Sequence, residues 1–399
     1  MSAIPQLLIA GGGIGGLGAA LAVSRAGWEA RLFEREGAFS EADGGIELGP
    51  NATRILCGWG LERELGAAGA FPDRLLLRHA ASGAELGALT LGRELFDRCG
   101  APYATLSRAD LHRMLCAAAG QAGVRVRLDH PLESFQDDGQ AVTANLAAAG
   151  KLVEGDALLG ADGIHSRVRQ QLLSDGPPRP TGYLACHALL SQPALPQALR
   201  SQQIVVWLGP RLQVVQYPVR RGGWMSVTAI VPGQPPAGAP DRELAASATD
   251  LQGASSATCA PLRDLLAAVP AAAGHPWRPC ALADRAPMQA AGQMARGRVA
   301  LLGGAAHPMR PYPAQSASLT IEDAAELAHA LAMDAVDMPT RLLRYAQARW
   351  QRVAHVQTRA IRNGRLFHAS GAMRLGRDAC IRLLGARLLE AAWQHAGGA

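Results

Sequence analysis

The apolar positions of this chain fall into two rhythms. Leu7 to Ala10 form a short continuous run that stops at glycines. Leu17, Leu21 and Val23 follow in a helical pattern, and Ala30 to Phe33 make a second run that ends at Glu34. That order predicts strand, tight turn, helix, strand. Further along, the pattern predicts a helix beginning near Asn51 behind Pro50 and strand-like pieces within 75–92. A helix over 106–123 follows, with apolar contacts at Leu111, Met114 and Leu115 and a stop at Gly123, then strands at 124–128, 142–147 and 151–155. Between 175 and 240, Pro and Gly punctuate short strands at 204–208, 212–219 and 224–231, a meander separate from the first sheet. Residues 233–285 are rich in Pro and Ala with helical patches, and 297–304 reads as a buried strand running into a loop. Helices are expected at about 321–333 and 339–362; in the second, Leu342, Leu343, Ala346, Trp350, Val353 and Val356 share one packing face.

The first strand–turn–helix carries chemistry. Gly11, Gly13 and Gly16 supply GxGxxG at the place where it has a mechanism. The first glycine makes the turn, the second lets a pyrophosphate approach the backbone, and the third lets helix and strand pack closely. The helix N-terminus offers free N–H groups to the phosphates, and Glu34 falls where an acid accepts ribose hydroxyls. The strand before, the helix after and the spaced acid make the signal specific to a dinucleotide.

Composition narrows the class. The chain has 399 residues, enough for two or three domains, and a net charge of +6 carried almost wholly by arginine, Lys151 being its one lysine. With no basic block and few aromatics, nucleic acid is not an expected partner. The seven cysteines (57, 99, 116, 186, 259, 280, 380) form no CxxC pair, which fits free thiols in a reducing compartment and no zinc site. Residues 4–23 are almost uncharged, but they lack a basic flank and are crowded with glycine, so neither a signal peptide nor a membrane span is expected. The expectation is a soluble cytoplasmic protein, away from the membrane, with no metal site.

Four features then line up in order: GxGxxG with Glu34; Arg108 in LSRADLHRML; Asp162-Gly163 in LLGADGIHSRVR; and GRVALLGGAAHPMRPYPAQSASLTIEDAAEL over 297–327. Together they resemble the single-component FAD-dependent aromatic hydroxylases of the para-hydroxybenzoate hydroxylase type. GIELGPNATRIL, YPVRRGGW and RNGRLFHASG are most similar to the salicylate and 3-hydroxybenzoate hydroxylases, and the resemblance spans nearly the whole chain. It implies an α/β fold: a Rossmann-like FAD-binding domain in three parts (1–74, 105–176, 287–335), an inserted, mainly antiparallel substrate sheet (75–104 and 177–286) and a helical C-terminal region (336–399). It also implies reduction of FAD by transiently bound NADH or NADPH and transfer of hydroxyl from O₂ to a phenol ring. A small aromatic substrate and a second copy of the chain in a homodimer are the expected partners.

The resemblance assigns FAD contacts to Gly11, Gly13, Ile14, Gly15, Gly16, Glu34, Arg35, Glu47, Arg108, Asp162, Gly304, Ser316 and Ala317. Pro311 matches a proline lying over the reactive carbon of the flavin. The adenosine half of this pattern is intact, and the flavin half is altered. Gly304 stands where the family has a ribityl-binding Asp, which should cost FAD affinity roughly ten- to a hundredfold. Ser316 replaces a glycine, Glu47 a glutamine and Ser226 an asparagine. Gln213 replaces a histidine that deprotonates the phenol, and an amide cannot titrate. His187 and Tyr217 are the titratable groups nearest that task, each equally readable as a packed strand residue. Arg220 and Arg221 could hold a substrate carboxylate or end a solvated hairpin. Trp207 and Trp224 could line a pocket or fill the core, and His307 is expected to fix its loop. These changes leave a second reading open: a non-oxidative member of the fold with weak or altered FAD binding.

Overall fold

The structure, a computed structural model, describes residues 4–39, 44–147, 150–233, 248–273, 277–312 and 314–390. Expected helical patches within 234–247 and 274–276, and the helical region past 390, lie outside the described residues.

The chain opens with β1 (Gln6–Ala10), α1 (Ile14–Arg25) and β2 (Glu29–Phe33), followed by β3 (Gly45–Leu48), α2 (Pro50–Gly58) and α3 (Glu62–Ala68). Next come β4 (Arg74–His79), β5 (Glu85–Thr90), α4 (Gly92–Cys99), β6 (Ala104–Ser107) and α5 (Arg108–Gln121). β7 (Arg125–Arg127), β8 (Leu132–Asp137), β9 (Val142–Leu146), β10 (Lys151–Gly155), β11 (Ala157–Gly160) and α6 (Arg167–Leu173) lead to β12 (Arg179–Ser191), β13 (Ile204–Gly209), β14 (Leu212–Val219) and β15 (Trp224–Pro232). The remainder is α7 (Ala248–Ser255), α8 (Ala260–Ala273), β16 (Arg278–Asp284), β17 (Ala295–Arg296), β18 (Val299–Leu301), α9 (Ser316–Leu331), α10 (Met338–Phe367) and α11 (Gly371–Glu390).

Two sheets organise these elements. The first has the order β17-β18-β11-β1-β2-β7, parallel except for β17. Its strands are nearly continuous apolar runs because α1 and α9 cover it, and the largest core cluster forms there. The second has the order β16-β12-β15-β14-β13-β4-β5 and is antiparallel except where β13 meets β4. One face of it packs on α7 and α8 through Val205, Trp207, Val214 and Val227. The other carries Leu77, Ile204, Val206, Leu208 and Tyr217. A two-stranded ribbon, β3-β6, lies between them, with Glu47 opposite Thr105 and Gly45 opposite Ser107.

The sequence pattern missed several strands, β3, β11, β16 and β17 among them, and three others show why. β12, of 13 residues, holds Pro180 and Gly182, and its middle is buried on both faces, so no alternation marks it. β6 hides in what reads as the helix 106–123. Ser107 ends that strand and caps α5, its Oγ accepting from Asp110 N at 3.1 Å. β8 is half polar. Helix α9 begins at Ser316 rather than near 321, its first turn held by packing on β3 and α1 rather than by propensity. α10 is capped by Asp337, whose side chain accepts from Thr340 N at 3.0 Å. It is sewn to α9 by Arg349 on Glu322 and Asp323 and by Arg352 on Glu322. No helix among the described residues is long and apolar enough to cross a membrane.

Candidate active site

The glycine turn after β1 is built as its spacing requires. Gly11 has φ +104°, and a Cβ there would come within 2.5 Å of the Ala161 carbonyl oxygen. Its N–H donates to Phe33 O at 2.8 Å, closing the turn onto β2. A Cβ at Gly16 would collide with the Gly11 carbonyl oxygen, whereas one at Gly13 would meet no atom within 4 Å. The open side of Gly13, at the uncapped start of α1, is where a phosphate would approach the free N–H groups. Gly15 instead faces Leu302 and Thr320, and Ile14 is buried in the core, so their side-chain positions serve packing. Glu34 braces the turn. Its Oε2 accepts from Gly12 N at 2.7 Å and its Oε1 from Glu36 N at 3.0 Å. His112 of α5 also bonds the Gly12 carbonyl at 2.8 Å, a contact across 100 residues that no local pattern signals.

A cavity of about 1070 Å³ opens on this turn, lined by Gly11, Gly13, Glu34, Arg35, Arg108 and Asp162 among others. Arg108, the first residue of α5, reaches into it. Although Arg108 stays exposed at the cavity mouth, desolvation there lowers its guanidinium from the ordinary arginine value, and no carboxylate among the described residues opposes it. Asp162 holds the start of α6, its Oδ2 accepting from Arg167 N at 2.7 Å and Val168 N at 3.2 Å. Its Oδ1 is buried without a donor among the described residues, and burial raises its carboxyl. Arg35 is exposed and pairs with Glu36 at 3.2 Å.

The residues expected near a flavin ring gather elsewhere, around β3, the loop after β18 and the start of α9. None of Glu47, Gly304, Pro311 or Ser316 lines the cavity above. The loop is fixed from below. His307 is fully buried, its Nε2 2.5 Å from Asp323 Oδ2, while Arg349 Nε lies 2.7 Å from Asp323 Oδ1. Pro311 and Ser316 are exposed, and Ala317 packs on the main core. At Gly304 the backbone is not left-handed, and a Cβ would sit in ordinary contact, 3.5 Å from Gly163 Cα. Glu47 is partly buried, its Oε2 accepting from the Tyr103 hydroxyl at 2.8 Å. Burial, partly offset by that bond, pushes its carboxyl up to about 7.

The pleat sorts the substrate-side candidates. Gln213, Tyr217 and His187 share one face of the seven-stranded sheet, since Gln213 pairs Ile230, Tyr217 pairs Ser226 and His187 pairs Thr228. His187 Nδ1 lies 3.0 Å from Thr228 Oγ1. Gln213 is 4% exposed, and its Oε1 has no donor among the described residues. Tyr217 is seated against Gly45, where a Cβ would come within 2.6 Å of its hydroxyl oxygen, and burial raises its phenol far above the usual range. Trp207 lies on the opposite face, its Nε1 donating to Gln216 Oε1 at 3.0 Å, and fills core. Arg220 is engaged, its Nε 2.9 Å from Asp110 Oδ2 and its guanidinium over the Trp224 ring.

This combination of a phosphate-approach turn, an unopposed arginine, an orphaned buried carboxylate oxygen and a separate polar sheet face fits a dinucleotide flavin and defines a flavoprotein. Residues 5–360 match the FAD binding domain family, and the chain belongs to it. The chain is 33% identical over 374 residues to 3-hydroxybenzoate 6-hydroxylase of Polaromonas naphthalenivorans, covering 93% of this chain and 90% of that enzyme. It is 36% identical over 371 residues to a 3-amino-4-hydroxybenzoate 2-monooxygenase of Streptomyces platensis, covering 91% and 89%. Klebsiella pneumoniae HpxO, solved with FAD and uric acid, superposes with a TM-score of 0.85 at 26% identity, covering 98% and 96%. The protein is an FAD-dependent monooxygenase of the single-component aromatic hydroxylase type, and the non-oxidative reading loses ground to these oxygenase relatives.

Proposed function

We propose that this enzyme hydroxylates a small carboxylated phenol with NADH or NADPH and O₂, the ring lying between the sheet face of His187, Gln213 and Tyr217 and the loop after β18. The observation that carries this reading is the polar face itself: a buried amide oxygen without a donor among the described residues, at Gln213, on the face it shares with His187 and Tyr217. Such a group is costly unless a ligand satisfies it.

When bound, FAD supplies the hydride acceptance and oxygen activation that no side chain can. The residues bind and orient. Gly13 and the start of α1 would meet the diphosphate, Arg108 would neutralise it, and Asp162 Oδ1 would accept a hydroxyl of the cofactor. Gly304 and Ser316 border the flavin end, and the buried His307–Asp323 pair keeps their loop in place. A homodimer would form through α11, whose Met373, Leu375 and Leu383 are exposed. Sedimentation at two protein concentrations tests that arrangement.

The test of function is direct. Purified protein should be yellow, and 3-hydroxybenzoate or a related hydroxybenzoate should accelerate NADH oxidation with formation of a dihydroxylated acid. A colourless protein that takes up no added FAD overturns the reading. Gly304→Asp sharpens the cofactor assignment. The backbone at 304 is not left-handed and a Cβ there meets only ordinary contacts, so an aspartate can restore a charged acceptor. FAD should then bind roughly ten- to a hundredfold more tightly by fluorescence titration. Unchanged affinity would remove Gly304 from the flavin site.

A further inference from the structure

The sheet face that should ionise a phenol has lost its titrating strand residue to Gln213, yet a carboxyl reaches the same place from another element. Successive side chains of a strand alternate, so the Cβ direction of Gly45 and the side chain of Glu47 share one side of β3. The Tyr217 hydroxyl lies on that side, within 2.6 Å of where a Gly45 Cβ would stand. Tyr217 in turn belongs to the face that carries Gln213 and His187. Behind Glu47, Tyr103 from the segment before β6 holds Oε2 at 2.8 Å and fixes the carboxyl. The ionisable groups around Glu47 are therefore Tyr103, Tyr217 on β14 and His187 on β12, whose ring lies against Gly44. Among the described residues, no arginine or aspartate shifts the Glu47 carboxyl.

We propose that Glu47 is the proton acceptor for the substrate hydroxyl, acting through Tyr217 and replacing the histidine that position 213 lacks. The inference rests on the phenolic-substrate reading above. The step balances. The substrate O–H gives its proton to Tyr217 Oη as Tyr217 gives its own to the Glu47 carboxylate. The ring oxygen becomes phenolate, Glu47 becomes the neutral acid, and Tyr217 is unchanged. Tyr217 cannot be the terminal acceptor, because burial first and Glu47 second hold its hydroxyl in the protonated form. Glu47 can, because burial has moved its carboxyl into the neutral range, to about 7. Below that pH it is already protonated and cannot accept. Above it the carboxylate is available.

The experiment uses the FAD-loaded enzyme with 3-hydroxybenzoate as the probe. In the unmodified enzyme kcat should rise through pH of about 7. Glu47→Gln should lose that rise and turn over roughly a hundredfold more slowly above the neutral range, at the low end of what proton transfer assistance is worth. FAD content serves as the check on folding. Glu47→Asp should keep a titrating limb at a reduced rate. Gln213→His placed on Glu47→Gln should restore one, which a purely structural role for Glu47 does not allow. A limb that survives in Glu47→Gln, with kcat within a few-fold, overturns the proposal and moves the base to His187. If no hydroxybenzoate stimulates the unmodified enzyme, the functional reading itself fails and takes this inference with it.

Discussion

Asp323→Ala is expected to lower the free energy of unfolding by about 3–5 kcal/mol, read from urea titration of the FAD-loaded protein. Asp323 is fully buried on α9, and each of its oxygens is committed. Oδ1 meets Arg349 Nε at 2.7 Å, and Oδ2 meets His307 Nε2 at 2.5 Å and the Gly303 N–H at 3.3 Å. Deleting the carboxylate leaves the buried Arg349 with Glu322 and a long bond to the Leu319 carbonyl, and strands the His307 ring. A loss under about 1 kcal/mol would mean that the network is no stronger than a surface pair. The pH dependence follows the same group. Burial alone would raise its carboxyl, but His307 and Arg349 outweigh burial and hold it near 2, below its ordinary 3.8. An acid held low contributes its stability above the ordinary value and loses it as pH falls through the window from 3.8 toward about 2. The gap between the enzyme and its Asp323→Ala variant should narrow across that window.

Gly16→Ala is expected to lose both bound FAD and stability, whereas Gly13→Ala loses FAD alone. At position 16 the added methyl strikes the Gly11 carbonyl oxygen, and a turn's backbone cannot step aside without opening the β1–α1 junction. At position 13 the methyl enters open space in the protein and obstructs only an arriving diphosphate. Retained flavin absorbance after gel filtration and the midpoint of thermal unfolding of the stripped proteins separate the cases. A Gly13→Ala protein that keeps its flavin would displace the diphosphate from this turn.

How much of this was legible in the sequence depended on distance along the chain. The β1–α1–β2 unit and Glu34 are local patterns and stand where the periodicities put them; α10 packs through Leu342, Ala346, Val353 and Val356 as expected, but Leu343, assigned to the same face, is exposed. His307 was readable as a loop-fixing residue because it follows a buried strand, although its partner Asp323 was not. The site's polar side was less legible because its contacts join distant segments: Tyr103 with Glu47, His112 with Gly12, Tyr217 with Gly45. Glu47 shows the limit best. Its departure from glutamine was visible, but the burial that neutralises it comes from β6 and β14 folding over β3. Arg220 likewise looked available in sequence and is held by Asp110, on α5.

The ties from Gly303 and His307 to Asp323, and from Asp323 to Arg349, have a consequence for biosynthesis. The loop after β18, proposed above to border the flavin end, is braced by a helix translated some forty residues later. On the ribosome, the phosphate-binding turn can form early, but the far end of the cofactor site stays unbraced until α10 has left the exit tunnel. Chains that stall or are cut before Arg349 should therefore be spared as nucleotide binders yet fail as oxygenases.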